Sequence, residues 1–298
     1  MLIAHLSDLH VRDAADAIWL DRQLDRIVAR AVDHLVITGD LLDRWVPALL
    51  NRVLDSLDAH ALLDAERVTL LHGNHDLASS GGHPRRGADL WRLVGRFWDP
   101  PPVIAGRRRE FYRIIARRGA GVGAVAPWRK TLRAGGTVAV VDTVPAFWAP
   151  VVLHRRTLVV RHAIGCMAPS HAAWLASLPR ASEPLIVLMH HYPLDTPPFR
   201  WTPDRINHPA MDALSWLESV EVRMEIEAPD RRRFWEAASE AGVRLVLCGH
   251  VHRARLSRHN DTAVGLNGQS GAAWAGRTIA WYDIDARGVR MELEQIQQ

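Results

Sequence analysis

The chain has 298 residues, 48% hydrophobic and 23% charged, which is ample apolar material for a large buried core. Its formal charge is +4, and Lys130 is the single lysine among 37 basic residues, so the positive charge reflects an arginine-rich composition rather than a grafted nucleic-acid patch. No apolar run is long enough to span a bilayer, and two distant cysteines, Cys166 and Cys248, offer neither a zinc spacing nor a disulfide framework.

In chain order, residues 2–6, 35–38, 68–71, 185–189 and 243–247 are short apolar runs rich in Val, Ile and Leu, which predicts buried strands. Helical stripes lie between several of them. Leu20, Leu24, Ile27, Val28 and Ala31 form the first; Val46, Leu49, Leu50, Val53, Leu54 and Leu57 form the second. A third follows Pro169 with Ser170 as its cap and Trp174, Leu175 and Leu178 facing inward. A fourth starts near Asp230, carries Phe234, Ala237, Ala238 and Ala241, and stops at Gly242. This alternation predicts an α/β chain with a βαβ core. Residues 111–115, 137–142, 157–161, 263–266, 278–284 and 288–294 predict further strands, grouped in a second, more antiparallel sheet. The expectation is one domain over 1–298, with excursions at about 78–135 and 195–230.

Five motifs end apolar runs with metal-ligating residue types: Asp8-Leu9-His10, Gly39-Asp40-Leu41-Leu42-Asp43, Gly73-Asn74-His75-Asp76, His190-His191 and Gly249-His250-Val251-His252. Ligands in α/β sheets gather beyond the carboxyl ends of strands, where each of these motifs falls. Carboxylate, imidazole and amide oxygen suit hard-to-borderline divalent cations. The set is too large for one ion and suits two. Asp8 and His10 flank one residue, so both can grip one cation. The Asp40 carboxylate can bridge two cations, and Asp43 reads as an outer partner or a helix-start acid. Asn74 offers an amide oxygen. His75 can enter the site without binding metal, with Asp76 accepting its ring N–H to fix the tautomer. His190 is preferred to His191 because it directly follows the strand. The runs Arg107-Arg108-Arg109 and Arg231-Arg232-Arg233 read as solvated faces.

The ordered set resembles the calcineurin-like metallophosphoesterases, whose blocks are D-x-H, G-D-x-x-D, G-N-H-[DE], a His and G-H-x-H. The resemblance implies two packed mixed β-sheets flanked by helices, a four-layer α-β-β-α sandwich. It implies one metal held by Asp8, His10, Asp40 and His252, and another held by Asp40, Asn74, His190 and His250, with His75 at the leaving group supported by Asp76. The ions would be Mn, Fe, Zn or Co, and a hydroxide shared between them would attack phosphorus in line. The layout is most similar to the bacterial cyclic-nucleotide phosphodiesterase branch, so a small phosphodiester, a cyclic nucleotide or glycerophosphodiester, is the expected substrate.

Alternatives are a DNA exonuclease subunit, a UDP-diacylglucosamine hydrolase and a non-catalytic scaffold. The intact ligand set disfavours the scaffold. No secretory leader is read at the start of the chain, the cysteine usage fits a reducing cytoplasm, and nothing in the sequence opposes a dimer. Pro197, Pro198, Phe199, Trp201 and Trp216 suggest a wall over the site within 195–230.

Overall fold

The computed structural model describes residues 1–79, 99–121, 125–146, 151–161, 163–180, 182–197, 199–201, 216–268, 270–271 and 277–296. Three strands open the chain: β1 (Leu2–Leu6), β2 (His34–Thr38) and β3 (Val68–Leu71). They run parallel to one another at one end of a five-stranded sheet. The hairpin β14 (Thr278–Asp285) and β15 (Gly288–Gln295) completes it by pairing antiparallel with β1. A second sheet has the order β12 (Ala254–His259), β13 (Thr262–Asn267), β11 (Val243–Cys248), β8 (Leu185–Leu188), β5 (Thr137–Val140), β4 (Trp128–Thr131). Its four central strands are parallel and its two edge strands antiparallel.

Three apolar clusters define the layers. Ile3, Val36 and Leu71 from the first sheet meet Val138, Ile186, Leu188, Leu245 and Leu247 from the second, so the two sheets pack face to face. Helices α1 (Ala14–Ala29), α2 (Pro47–Ala59) and α3 (Pro101–Arg117) cover the outer face of the first sheet with Leu20, Leu24, Leu50, Leu54, Phe111 and Ile115. Helices α4 (Pro169–Ala176) and α5 (Ala228–Ala241) cover the second with Leu175, Phe234 and Ala238. The result is the expected α-β-β-α sandwich. Its motif-bearing strands are buried on both faces, which is why they read as continuous apolar runs.

Several expectations need correction. The five motif-bearing strands do not share a sheet: β1, β2 and β3 lie in one, β8 and β11 in the other. A short apolar run reports burial but not which sheet takes it. Residues 111–115 are helical rather than a strand, because Phe111, Tyr112 and Ile115 bury at i, i+1 and i+4 while Pro101 and Pro102 preset the first turn of α3. Ser170 is not a cap: Ala168 occupies that position and makes no side-chain cap bond. Val28 is 44% exposed and Ala31 lies past the end of α1.

A third sheet of four strands, β6 (Val151–His154), β7 (Thr157–Val160), β10 (Ser219–Val222) and β9 (Phe199–Trp201), was not expected; of its strands the sequence predicted one, at 157–161, as a member of the second sheet. Its strands span three or four residues, too few for a period to show. The expected wall falls largely on 202–215 and Pro198, outside the described residues, as do 80–98 of the first excursion.

Tertiary contacts also hold a buried histidine neutral. His34 on β2 donates from Nδ1 to the Glu66 carbonyl at 3.0 Å, so Nε2 accepts from the Thr69 hydroxyl at 2.8 Å. Burial first, and then the Lys130 charge, lower its imidazole from 6.5 to about 3. The folded value lies below the unfolded one, so His34 contributes stability that is fully present above pH 6.5 and is lost as pH falls toward 3. Urea unfolding at pH 7.5 and 5 should therefore show a loss of which about 1–2 kcal/mol belongs to His34. His34→Gln should shrink the loss by that amount; an unchanged pH slope would exclude this origin.

Candidate metal centre

The seam between the two sheets places the motifs. The chain leaves β1 and β2 side by side: Asp8 N–H donates to the Gly39 carbonyl at 3.0 Å and His10 N–H to the Asp40 carbonyl at 2.9 Å. On the other sheet, Gly249 N–H donates to the His190 carbonyl at 3.0 Å. The sheets are joined where His250 N–H donates to the Asp8 carboxylate, at 2.9 and 3.1 Å to its two oxygens. Two glycines permit close approach across this seam. A Cβ at Gly249 would lie 2.3 Å from an Asp8 carboxylate oxygen, and one at Gly39 would lie 2.7 Å from His190 Nδ1. Within the first sheet, a Cβ at Gly73 would lie 2.1 Å from an Asp40 oxygen, so the glycines before the ligands serve close approach as well as the turn.

Asp8, His10, Asp40, His250 and His252 all have positive φ, between 46° and 71°. This left-handed conformation is rare for residues with a side chain and marks sites where the fold overrides local preference. It throws the carboxylates and imidazoles off the strand ends into one crevice.

Two clusters result. In the first, His252 Nε2 lies 3.2 Å and His10 Nε2 lies 3.8 Å from Asp8 Oδ1. In the second, His190 Nε2 lies 3.0 Å from Asn74 Oδ1, 3.2 Å from His250 Nδ1 and 3.3 Å from Asp40 Oδ2. Asp40 Oδ2 is also 3.7 Å from His10 Nε2, and so stands between the clusters. Its other oxygen accepts from His75 N–H at 2.8 Å, whereas Oδ2 makes no hydrogen bond among the described residues.

Backbone carbonyls fix the imidazole tautomers. A carbonyl can only accept, so His190 Nδ1, which contacts the Thr38 carbonyl at 2.9 Å, carries a proton. His250 Nε2 donates in the same way to the Ala163 carbonyl at 2.8 Å. The remaining nitrogens, His190 Nε2 and His250 Nδ1, then point at each other with an amide oxygen and a carboxylate oxygen beside them. Acceptors at separations of about 3–3.5 Å converging on one point suit the ligands of one divalent cation. The site's demand for positive charge is visible in its histidines as well. Burial alone would lower His10 and His190, but Asp43, Asp8 and Asp40 raise His10 to about 10, and Asp40 foremost raises His190 to about 9. The donor set therefore fits two cations sharing Asp40.

His75 lies at the edge of both clusters, its ring edge-on to His10 at 4.6 Å between centroids. Its Nδ1 donates to the Asp43 carbonyl at 3.0 Å. The expected partner, Asp76, does different work: its carboxylate accepts from the backbone N–H groups of Gly73 at 2.8 Å, Leu42 at 2.8 Å and Leu41 at 3.2 Å. It knits the Asp40 loop to the Asn74 loop. Burial, followed by the Asp40 charge, raises its carboxyl to about 7. Asp43 is no helix-start acid, since α2 is capped at Val46; its carboxylate lies 3.7 Å from His10 Nδ1. His191 is buried behind the site, bonded to the Thr143 hydroxyl at 3.0 Å and packed on the His250 ring at 4.3 Å.

One contributor escaped the sequence reading. The turn after β13 clasps the first cluster from outside. Ser270 N–H donates to the Ser7 carbonyl at 3.1 Å, and the Ser270 hydroxyl accepts from Ser7 N–H at 3.1 Å. A Cβ at Gly271 would lie 2.3 Å from the Leu9 carbonyl, and one at Gly268 would lie 2.5 Å from His252 N. The signal was present: Asn267-Gly268 and Ser270-Gly271 end an apolar strand as the other motifs do, but they carry neither a carboxylate nor an imidazole.

Among solved structures, the chain is similar to a dimetal phosphatase from Danio rerio, at 12% identity and a TM-score of 0.61, covering 99% of this chain and 96% of that one. It is also similar, at 15% identity and a TM-score of 0.43, to the phosphopantetheinyl hydrolase of Mycobacterium tuberculosis, covering 89% of each chain. No curated protein matches the chain with significance. The family model described as calcineurin-like phosphoesterase matches residues 1–254, a span that holds all five motifs and the strands that carry them. The chain belongs to the calcineurin-like phosphoesterase family and is a metal-dependent phosphoesterase.

Proposed function

We propose that the protein is a phosphodiesterase acting on a small phosphodiester. In this reading Asp8, His10, Asp40 and His252 hold one cation and Asp40, Asn74, His190 and His250 hold the other. The observation that carries it is Asp40 Oδ2, buried between two clusters of acceptors, 3.3 Å from His190 Nε2 on one side and 3.7 Å from His10 Nε2 on the other. Two divalent ions, when bound, supply an acidified water and positive charge for the phosphoryl oxygens. The protein's own groups do the rest. Asp76 holds the two ligand-bearing loops in register through three backbone N–H groups. The Thr38 and Ala163 carbonyls keep the ligand nitrogens of His190 and His250 turned inward.

His75 is assigned to the leaving oxygen. Its Nδ1 proton is committed to Asp43, so a proton carried on Nε2 is the one it can give up. Burial holds this imidazole below its ordinary value against the pull of Asp40, and the phosphate of a bound substrate acts in the opposite sense. Asp76 takes no part in orienting the ring in this account.

The small-substrate reading is supported by the first arginine run. Arg107 and Arg108 are spent on internal bonds to Leu77, Asp99, Asp142 and Val144, and so do not form a phosphate-tracking stripe. Hydrolysis of bis-p-nitrophenyl phosphate, cyclic AMP, glycerophosphodiesters, p-nitrophenyl phosphate and single-stranded DNA should favour the small diesters. Preferential digestion of DNA would reject this substrate class.

Metal analysis should find two ions per chain. Asp40→Ala should lose both, whereas His252→Ala should weaken only the Asp8 site. Retention of both ions in Asp40→Ala would rule out the bridge. His75→Ala should keep its metals and lose about 10²–10⁴-fold in rate on diesters with poor leaving groups. The loss should be smaller for p-nitrophenolate, which departs without a proton. Equal losses on both would remove His75 from the leaving group.

A further inference from the structure

Within the arginine run 107–109, Arg109 is exposed, but Arg107 and Arg108 are not part of a solvated face. The Arg107 side chain is 17% exposed and its guanidinium makes three bonds. Nη1 donates to the Leu77 carbonyl at 2.7 Å and to Asp99 Oδ2 at 2.8 Å, and Nη2 donates to the Ser79 hydroxyl at 2.7 Å. Asp99 in turn accepts from Ser79 N–H at 2.6 Å and is 9% exposed. The clamp therefore joins α3 to the chain just after the Gly73-Asn74-His75-Asp76 motif.

That stretch needs an external hold. Residues His75–Leu77 form a single 3-10 turn, whose own bonds are long: Leu77 N–H to the Asn74 carbonyl at 3.3 Å and Ala78 N–H to the His75 carbonyl at 3.2 Å. The turn's entry is secured by Asp40 and Asp76. At its exit, the Ala78 carbonyl accepts from Trp45 N–H at 2.7 Å and the Leu77 carbonyl accepts from Arg107. The neighbouring Arg108 reaches the other end of the same segment. Its Nε lies 2.9 Å from Asp142, which contacts His72 Nε2 at 3.2 Å, directly before Gly73. One turn of α3 thus grips the His75 loop from both sides.

We propose that Arg107 is a positioning residue for His75: by bonding the Leu77 carbonyl and Asp99 together it sets where the 3-10 turn ends, and through the turn where the His75 imidazole stands. The proposal rests on the reading of His75 as the group at the leaving oxygen. Proton transfer needs hydrogen-bond distance, and a displacement of about 1 Å can cost about 10²-fold. A planar guanidinium serves carbonyl, carboxylate and hydroxyl at once in fixed directions, which a lysine ammonium does not reproduce.

The test compares Arg107→Met, Arg107→Lys and Asp99→Asn, loaded with Mn²⁺, on a p-nitrophenyl and a phenyl phosphodiester, alone and combined with His75→Ala. Metal content should stay at the wild-type level. On the phenyl ester kcat should fall about 10- to 100-fold with KM unchanged, and the fall should be smaller on the p-nitrophenyl ester. On the His75→Ala background, the same substitutions should cost nothing further on either ester. Equal losses on both esters, or a further loss on that background, would overturn the proposal. If Arg107→Met does not fold, Arg107→Lys and Asp99→Asn carry the same comparison. If His75→Ala alone shows no leaving-group dependence, the His75 reading falls and the clamp with it. If His75→Ala shows the dependence and the clamp variants keep wild-type rates, only the clamp is refuted.

Discussion

The Asp40 carboxylate is the constraint on which the rest of the site depends. It is fully buried and stands among four imidazoles, those of His10, His75, His190 and His250. A buried charge with one oxygen lacking a hydrogen bond is costly unless positive charge answers it. Everything around Asp40 is arranged so that such charge can enter. The glycines at 39 and 73 let two loops approach until Cβ atoms would collide, and the carbonyls behind His190 and His250 turn their lone pairs inward. A cation relieves the mutual repulsion of these acceptors, so ligand geometry and metal demand come from the same contacts.

Holding that geometry has a cost in backbone conformation. Five residues of the centre adopt positive φ without being glycine. At on the order of 1 kcal/mol each, their strain approaches the net stability of an ordinary domain. It persists because the surroundings over-determine it. Asp8 is tied through its carboxylate to His250 N–H, through its own N–H to Gly39, and its turn is clasped by Ser270 and Gly271. The two packed sheets supply the rigidity for such a turn, with Ile3, Val36, Leu188 and Leu247 fully buried between them. The neutral histidines of the fold, such as His34, extend the same logic: burial fixes a protonation state and a neighbouring carbonyl fixes the tautomer.

The division of labour around His75 shows how a loop with few bonds of its own is made rigid. Its ring is held by the Asp43 carbonyl, its N–H by Asp40, and its exit by Arg107 and Trp45. None of these partners is its neighbour in sequence except through the fold. Arginine at 107 therefore looks like surface charge in the sequence and acts as an internal strut in the structure.

Sequence alone determined the buried strands, the ordered ligand types and the family they resemble, because these are local facts: an apolar run of four to six residues, a Gly before a carboxylate, a His at the strand end. It also placed α5, whose Gly242 stop adopts φ 70° as its position requires. Tertiary structure decided what depends on pairs distant in the chain. It split the motif strands between two sheets and brought the candidate ligands together at their seam. It gave the tautomer of His75 to the Asp43 carbonyl rather than to Asp76, since a carboxylate next in sequence can be drawn away by two N–H groups of the Asp40 loop and one of its own loop. Residues 111–115, expected as a strand of the second sheet, are part of α3 and bury Phe111 and Ile115 against the outer face of the first sheet instead. In each case the local pattern allowed two outcomes, and burial and hydrogen bonding between separate elements of the fold selected one.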